Sequence, residues 1–570
     1  MTPRFQWLGW LALCGLLGCR EGCGQLRFDG RGPDSPGESL ASPAEPDIIE
    51  GEDWSLPAWV TPAANAGLFS GEADAGLGIS LRSFEVTWRQ LNPQEGVYSQ
   101  TLGGNAEGNT MASYQNQLAR GGPFWMRIWA SGTDWAPQWV IDKCAVSSIG
   151  TDYNGQAHLP LWNPCLWGEL LKLYRQIFVQ WGLRLNPDLR LLWVPGGFAW
   201  GEFDFDLVTQ AAQNHGLTLS EFSAWFQQAM TDLASILDGE NQDPADDHAN
   251  KLVYTGRDYP AGPWGAEDDG FAKNAVDQGL GIHISDLELF NFHSNQMPSL
   301  GATIAADGHV VLDEAAPVRQ GGRLTVAEST CINDCGYSTG DPLYALRMIL
   351  LKALQLRVQY LYVEPQESYL SEYPVLWTYV RHSLGKTRTD SPDAWVALRE
   401  AEDRYFVGDT SHPWTGRPWV KNLERWLVQR DVSPNALSRR GSEQRTGVLD
   451  EDNGASYEGR QTDRAQGSDA LCFDLDDGFL FNQEVPVEIK VTYLDRGACS
   501  WWLEYAGKGQ RQRSNPVTCQ DTGQLRTARY RLEDALFDNN LAGSTDFCIH
   551  TGEGPDLEVR FVRVVKPNAP

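Results

Sequence analysis

The stretch Leu189 to Glu202 reads Leu-Arg-Leu-Leu-Trp-Val-Pro-Gly-Gly-Phe-Ala-Trp-Gly-Glu. Its first part, Leu189 to Val194, is a short apolar run of the kind that forms a buried strand of a parallel sheet. A proline and two glycines end that run, and a carboxylate follows in the loop. A second carboxylate ends the apolar run Leu324 to Glu328. Strands whose carboxyl ends carry polar groups are typical of parallel α/β folds, in which these ends build the ligand site.

Short β-rich runs alternate with amphipathic or loop-rich segments from about residue 75 to about residue 365. This order predicts a parallel barrel surrounded by helices. Strands one to eight are predicted at Ile79–Val86, Phe124–Ile128, His158–Trp162, Leu189–Val194, Leu252–Thr255, within Gly281–Phe292, at Leu324–Glu328 and at Val358–Val363. Since eight strands close a barrel, we assign residues 51–390 to a (β/α)₈ barrel, the TIM-barrel fold.

The two strand-end glutamates, Glu202 and Glu328, are predicted to face one cleft, because the loops at the carboxyl ends of barrel strands meet there. Cleavage of a glycosidic bond needs a proton for the leaving oxygen and an anion for the developing oxocarbenium ion. Two carboxyl groups supply both if their environments separate their pKa values. Each glutamate could instead pair with an arginine in a purely structural role.

These features resemble the large clan of retaining barrel glycosidases, in which the acid/base glutamate follows strand four and the nucleophilic glutamate ends strand seven. The resemblance implies that Glu202 is the acid/base and Glu328 the nucleophile. The stretch from Thr87 to Tyr98, with its Trp, Asn-Pro and Glu-Gly-Val-Tyr, is similar to the segment after strand one in β-galactosidase-like barrels. Arg127 takes the place of an arginine that orients the nucleophile in that clan. The chain departs from the pattern at Gly201, where the clan usually has an asparagine that binds the sugar 2-hydroxyl.

Further substrate-binding residues are expected at or near strand ends. Tryptophan is abundant, with 23 residues, and indole rings stack well on sugar faces, although about half of them are expected in the core. Glu364 is a rival carboxylate that could bind substrate or replace Glu328, and a lone histidine such as His293 is more often a structural residue than a ligand. The other candidates for substrate contact are Trp88, Trp129, Trp200, Tyr254, Arg257, Asp286 and His293.

The amino terminus predicts export. Residues 1–18 form a signal peptide, with a basic Arg4 before an apolar run too short to span a bilayer. Leu16-Leu17-Gly18-Cys19 resembles the lipobox of bacterial lipoproteins, which implies lipidation of Cys19 and residence in the cell envelope. The alternative is an ordinary secretory signal. Residues 19–50 are rich in Gly, Pro, Ser and acidic residues and are predicted to be a flexible tether.

The cysteines after the tether are even in number, which suits disulfides in an oxidising compartment. We pair them by loop closure and by the expected neighbourhood of strands. Zinc binding by Cys331 and Cys335 is a weak alternative, because these residues lack a second cysteine pair, or histidines, at the spacing of a zinc site. The predicted pairs are Cys144 with Cys165, Cys331 with Cys335, Cys472 with Cys548 and Cys499 with Cys519.

The carboxyl-terminal part has two predicted segments. Residues 391–445 are rich in Trp, Arg and Pro and are predicted to be a linker. Residues 446–570 contain alternating runs such as Val487–Tyr493, which indicate antiparallel strands and a β-sandwich. The sandwich resembles the jelly-roll accessory domains of polysaccharide-acting enzymes.

The net charge of −29 and the pI of about 4.7 argue against a nucleic-acid partner. No phosphate-binding loop or metal-ligand spacing is found, so no cofactor and no metal are predicted. We therefore expect an exported glycoside hydrolase with a carbohydrate substrate and a two-glutamate retaining mechanism, held to the membrane only by its lipid. The alternatives are a non-catalytic carbohydrate-binding surface lipoprotein and a structural envelope protein.

Overall fold

The computed structural model of the protein describes residues 44–70, 78–106, 108–152, 155–195, 205–239, 248–256, 269–284, 299–305, 309–328, 342–363, 373–399, 422–432, 438–440, 459–507 and 510–568. Within these ranges the chain forms a closed parallel barrel followed by an antiparallel β-sandwich, as the sequence predicts. Three two-stranded hairpins lie outside both: Gly104–Ala106 with Asn109–Met111, Gly150–Thr151 with Ala157–His158, and Ala302–Ile304 with Val310–Leu312.

The barrel has eight parallel strands that follow one another around it in chain order. We number them barrel strands one to eight. They are Gly67–Phe69, Ile79–Thr87, Phe124–Trp129, Leu189–Trp193, Leu252–Gly256, Gly281–Ile284, Thr325–Glu328 and Tyr360–Tyr362.

The predicted numbering of the first strands is wrong. Barrel strand one is Gly67–Phe69, which sequence analysis missed because three fully buried residues show no alternation. The run His158–Trp162, predicted as strand three, is not in the barrel: Ala157–His158 forms a hairpin with Gly150–Thr151. The predicted strands one and two are therefore barrel strands two and three. The two errors cancel, so that strands four to eight keep their predicted numbers.

Helices cover the outside of the barrel. Asn163 precedes helix α4, Pro164–Tyr174, and its side chain accepts hydrogen bonds from two backbone amides of the first turn. Helix α6 starts with a capping box formed by Thr218 and Glu221. The described helices are α1 Trp88–Leu91, α2 Tyr114–Ala119, α3 Gln138–Cys144, α4 Pro164–Tyr174, α5 Phe205–His215, α6 Leu219–Leu237, α7 Asp269–Asp277, α8 Pro342–Gln355 and α9 Pro374–Ser383, and a π-helix at Arg175–Gln180 continues α4.

The sandwich consists of two antiparallel sheets that share one apolar core. In the first sheet the strands lie in the order Pro46–Glu50, Leu525–Leu532, Val487–Leu494, Glu558–Val565, Asp393–Ala397 and Leu423–Arg425, with Arg460–Gln461 also on Glu558–Val565 and Arg439–Arg440 beside Arg460–Gln461. In the second sheet the order is Leu427–Arg430, Ala470–Leu475, Phe547–Thr551, Ser500–Gly507 and Gln510–Arg513, with Val517–Thr518 also on Ser500–Gly507.

Parts of the sandwich come from outside the segment 446–570 predicted for it. Asp393–Ala397 and the strands between Leu423 and Arg430 lie in the predicted linker, yet they pair with sandwich strands. Pro46–Glu50, at the end of the predicted tether, pairs with Leu525–Leu532. The predicted boundaries at 50, 391 and 446 are therefore wrong for these strands. Composition misses them because short strands added to a sheet take their stability from distant partners.

Three of the four predicted cysteine pairs are disulfides in the structure: Cys144–Cys165, Cys472–Cys548 and Cys499–Cys519. Cys472 and Cys548 face each other across two neighbouring strands. The fourth pair, Cys331 and Cys335, lies outside the described residues.

In the part of the chain that the structure describes, every helix is too short or too polar to cross a lipid bilayer. Residues 1–43, with the predicted signal peptide and Cys19, lie outside the described ranges.

Candidate active site at the carboxyl ends of the barrel strands

The interior of the barrel has an apolar floor and a polar layer. Side chains alternate along a strand, so every second residue points inward. The floor is formed by Phe69, Leu81, Trp125, Leu191, Trp193, Val253, Val326 and Tyr360. Two or four residues further along the strands, toward their carboxyl ends, the inward positions are polar. This polar layer consists of Glu85, Arg127, Thr255, His283, Glu328 and Tyr362.

Glu328 ends barrel strand seven, where the sequence places it. Its side chain is 16% exposed, and its Oε1 lies 3.3 Å from Nε2 of His283 on the neighbouring strand six. On its other side, Glu328 is in register with Tyr362 of strand eight. The carboxylate thus lies at the mouth of the barrel, next to a histidine.

His283 is fully buried, and its Nδ1 lies 3.0 Å from the hydroxyl of Thr255. The edge of the ring meets the indole of Trp193, with centroids 4.5 Å apart. Burial, together with the positive charge of Arg127, lowers the pKa of His283 to about 3. The imidazole is therefore neutral near pH 7, and its contact with Glu328 is not an ion pair.

Arg127 lies on barrel strand three among aromatic rings. Its guanidinium carbon is 5.4 Å, 4.9 Å and 5.9 Å from the ring centroids of Trp125, Trp129 and Trp193. Glu85 of strand two is its register partner, and both side chains point inward. Arg127 was expected on strand two, and the missed first strand accounts for the difference. Cation–π contacts with three rings hold this charge in the polar layer.

Glu85 is a second carboxylate of the polar layer that sequence analysis missed. The indole N–H of Trp129 donates a hydrogen bond of 2.8 Å to its Oε2. A signal for Glu85 exists in the sequence, because Glu85 lies between the apolar residues Phe84 and Val86, and every second residue before it, Leu81 and then Ser83, becomes more polar toward the strand end. His283 has a similar signal as the one polar side chain in Gly-Ile-His-Ile, whereas the predicted candidates Asp286 and His293 come later.

Of the tryptophan and tyrosine residues predicted to contact substrate, one described residue lies at the site and two do not. Trp129 is 5% exposed and belongs to the site through Glu85. Trp88 is fully buried in the packing between strands and helices, so its predicted contact with substrate is wrong. Tyr254 is wrong for the same reason: it points out of the barrel toward Phe226 of α6, with ring centroids 5.1 Å apart. Nearness to a strand end does not by itself predict contact with substrate, because the direction of the side chain also decides it.

The remaining predicted site residues lie outside the described ranges. Among them is the predicted acid/base. These residues are Trp200, Glu202, Arg257, Asp286, His293 and Glu364.

A buried hydrogen-bonded chain supports the tryptophans of the mouth. The Trp135 ring contacts both Trp129 and His158 edge to face, with centroids 4.7 Å and 5.3 Å away. His158 lies 3.0 Å from the Ser131 hydroxyl through Nδ1 and 2.9 Å from Asp152 through Nε2. All three polar residues are buried, so this Ser-His-Asp arrangement has a structural role. Among the described side chains, no group of three or more His, Cys, Asp or Glu residues is arranged to hold a metal ion.

No protein-family model and no curated protein matches the sequence. Among solved structures, the catalytic domain of a β-amylase from Paenibacillus polymyxa is similar over 55% of this chain and 98% of its own, with 11% identity and a TM-score of 0.32. A structural similarity with so low a TM-score adds no evidence to the topology described above. The site therefore stands on its own geometry: a (β/α)₈-type barrel whose mouth, in the described residues, holds two carboxylates, an arginine among three indole rings and a neutral histidine.

Proposed function

We propose that the protein is an exported glycoside hydrolase that cleaves O-glycosidic bonds of an oligo- or polysaccharide by a retaining mechanism. Glu328 is the nucleophile, and Glu202 is the acid/base. The observation that carries the proposal is the place of Glu328: a partly exposed carboxylate at the carboxyl end of barrel strand seven, beside a buried imidazole. That end of the strands is where barrel enzymes build their active sites.

The polar layer suits a sugar. Carboxylates such as Glu85 accept hydrogen bonds from hydroxyl groups, and the indole N–H of Trp129 holds Glu85 in place. The aromatic floor below excludes water from the base of the mouth, because Trp125 and Trp193 are almost fully buried. Electrostatic interactions with a developing positive charge are stronger in such a dry site.

The proposed reaction has two steps. A carboxylate oxygen of Glu328 attacks the anomeric carbon while the bond to the leaving oxygen breaks, and the proton of Glu202 goes to that oxygen. Water then gives a proton to Glu202 and attacks the anomeric carbon, which releases Glu328 and a sugar of the original configuration. Glu85 and Arg127 take no proton in this scheme. They bind the sugar and contribute to the electrostatic field at the barrel mouth.

Covalent trapping tests the proposal. We expect one member of a panel of 2,4-dinitrophenyl 2-deoxy-2-fluoroglycosides, made from the common hexoses and pentoses, to add a single fluoroglycosyl group to the protein. The fluorine slows both steps because it destabilises their oxocarbenium-like transition states, whereas the reactive dinitrophenolate leaving group keeps the first step fast, so the intermediate of a retaining enzyme accumulates. Intact mass and peptide mapping would place the group on Glu328.

The matched control is Glu553→Gln, which changes an exposed carboxylate in a sandwich turn and should label normally. Glu328→Gln should not label. Label on Glu85 or Glu364 would transfer the nucleophile role to that residue. If no fluoroglycoside labels the protein but calorimetry detects binding of an oligosaccharide, the non-catalytic carbohydrate-binding alternative replaces the hydrolase.

We propose further that the protein is anchored in the bacterial cell envelope through lipid on Cys19, with no other membrane contact. The lipobox-like sequence and the disulfides, which are typical of oxidising compartments, support export. Expression in a bacterium with a labelled fatty acid should give labelled protein in the membrane fraction. Cys19→Ala should abolish the label; a mature chain that begins elsewhere and lacks lipid would instead indicate a secreted enzyme.

A further inference from the structure

We infer that His283 is a positioning residue for the proposed reaction. Thr255 holds the neutral ring in the tautomer whose Nε2–H points at Glu328 and thereby keeps that carboxylate anionic and oriented. The inference rests on the proposed function for its catalytic meaning, but its structural content is independent of it.

The first support is the chain of contacts across three neighbouring strands. The Thr255 hydroxyl, the two nitrogens of His283 and the Glu328 carboxylate follow one another at 3.0 Å and 3.3 Å. Parallel register sets this order, because strand five pairs with strand six and strand six with strand seven. Because the Thr255 hydroxyl holds the ring at Nδ1, the Nε2 atom on the other side of the ring faces Glu328.

The second support is that Nε2 is buried and, in the described part of the chain, has no hydrogen-bond partner. A buried polar atom without a partner lowers the stability of the folded state, because it has lost its hydrogen bonds to water. The atom that faces it is Oε1 of Glu328, close enough to interact but outside hydrogen-bond geometry. Catalytic hydrogen bonds are often long or misaligned before substrate binds and become shorter in the complex.

The tautomer follows from counting donors and acceptors. If Nδ1 carried the proton, the lone pair of Nε2 would face an anionic oxygen, and both atoms would repel each other unless Glu328 were protonated. If Nε2 carries the proton, it donates to Glu328, and the Thr255 hydroxyl donates to Nδ1. The tautomer of His283 therefore reports the protonation state of Glu328, and with it whether that residue can act as nucleophile or as acid.

Burial, with a smaller contribution from Arg127, keeps the His283 ring neutral. Strand three contributes Arg127, whose positive charge adds to burial in lowering the pKa of His283. Strand seven contributes Glu328 and strand two contributes Glu85, the register partner of Arg127. Of the described residues, strand four contributes the indole of Trp193 and strand five the hydroxyl of Thr255, and both groups are uncharged. Since the pKa is about 3, the ring stays neutral from pH 5 to pH 8.

The direct test is nitrogen-15 NMR of the full-length protein labelled at histidine, with the His283 signals assigned by their loss in His283→Gln. We expect a neutral ring protonated at Nε2 throughout pH 5 to 8. Thr255→Val, which keeps the shape but removes the hydroxyl, should shift the ring toward a mixture of tautomers, whereas Thr255→Ser should retain the Nε2–H form. An imidazolium at pH 6, or a ring protonated at Nδ1, would overturn the inference.

The kinetic test uses whichever 2,4-dinitrophenyl glycoside the protein hydrolyses. Thr255→Val and His283→Phe should lower kcat about 10- to 100-fold, the loss of one hydrogen bond to a charged group, with KM changed less than about threefold. Thr255→Ser should restore kcat to within about threefold. Unchanged kcat in Thr255→Val would overturn the positioning role. If no glycoside is hydrolysed, the proposed function fails while the NMR result still decides the tautomer.

Discussion

Replacement of Glu328 by glutamine is expected to lower kcat by at least about 10³-fold, because glutamine cannot form the glycosyl ester on which the proposed mechanism depends. Glutamine has nearly the same volume as glutamate, and its carbonyl oxygen can still accept a hydrogen bond from Nε2–H of His283. We therefore expect KM to change less than about threefold and the folded structure to persist. The measurement is steady-state hydrolysis of a reactive dinitrophenyl glycoside, with circular dichroism to show that the variant is folded.

Two comparisons make this result specific. Glu553→Gln removes an exposed carboxylate between two sandwich strands and should leave kcat unchanged. Glu202→Gln should impair substrates with poor leaving groups by about 10²–10⁴-fold but spare the dinitrophenyl substrate in the first step, since dinitrophenolate departs without protonation. If Glu328→Gln retains more than a tenth of the activity, Glu328 is not the nucleophile, and Glu85 or Glu364 becomes the candidate.

Replacement of Asp393 by alanine is expected to destabilise the protein by about 3–5 kcal/mol, the usual result of leaving a buried charge without its partner. Asp393 lies in the first sandwich sheet and is fully buried. It accepts hydrogen bonds from Nε of Arg563, at 2.8 Å, and from the hydroxyl of Tyr379 on α9 of the barrel, at 3.0 Å. Arg563 is also buried, and the negative charge of Asp393 helps to keep its pKa high. The variant would leave that cation without its carboxylate.

The other contacts of Arg563 explain why loss of the Asp393 carboxylate would also destabilise the junction between the barrel and the sandwich. Arg563 also donates to the backbone carbonyls of Asp53 and Ser55, in the segment that leads from the first sandwich strand to the barrel. The Asp53 carboxylate pairs with Lys490 at 2.8 Å and with Arg529 at 3.8 Å, and Lys490 also lies 3.4 Å from Glu488, so acids and bases balance in the cluster. Removal of the Asp393 carboxylate would leave the cluster with an excess of positive charge.

Urea unfolding followed by tryptophan fluorescence, together with limited proteolysis at the junction, would measure the effect. Asp393→Asn keeps an acceptor and should cost less. Glu533→Ala, which breaks a solvent-exposed pair with Arg531, should leave the unfolding curve unchanged. Equal curves for Asp393→Ala and Glu533→Ala would show that the buried pair does not stabilise the junction.

Much of the fold was predictable, because the signals are local. Apolar runs marked seven of the eight barrel strands, and alternating runs marked the sandwich. Gly67–Phe69 escaped because three buried residues have no period to detect. Asp393–Ala397 escaped because its pairing partner, Glu558–Val565, is distant in sequence and supplies the stability that composition cannot show.

The sequence by itself determined that a barrel precedes a sandwich and that Glu328 ends a barrel strand; it offered a plausible pairing of the cysteines, which the tertiary structure established for the three described disulfides. Tertiary structure alone decided which side chains face each other: Glu85 beside Arg127, and His283 between Thr255 and Glu328. It also removed Trp88 and Tyr254 from the site, since both point into the layer under the helices. The physical reason is that alternation along a strand is a local property, whereas the register between strands, the closure of the barrel and the electrostatic field inside it depend on contacts between residues far apart in the chain.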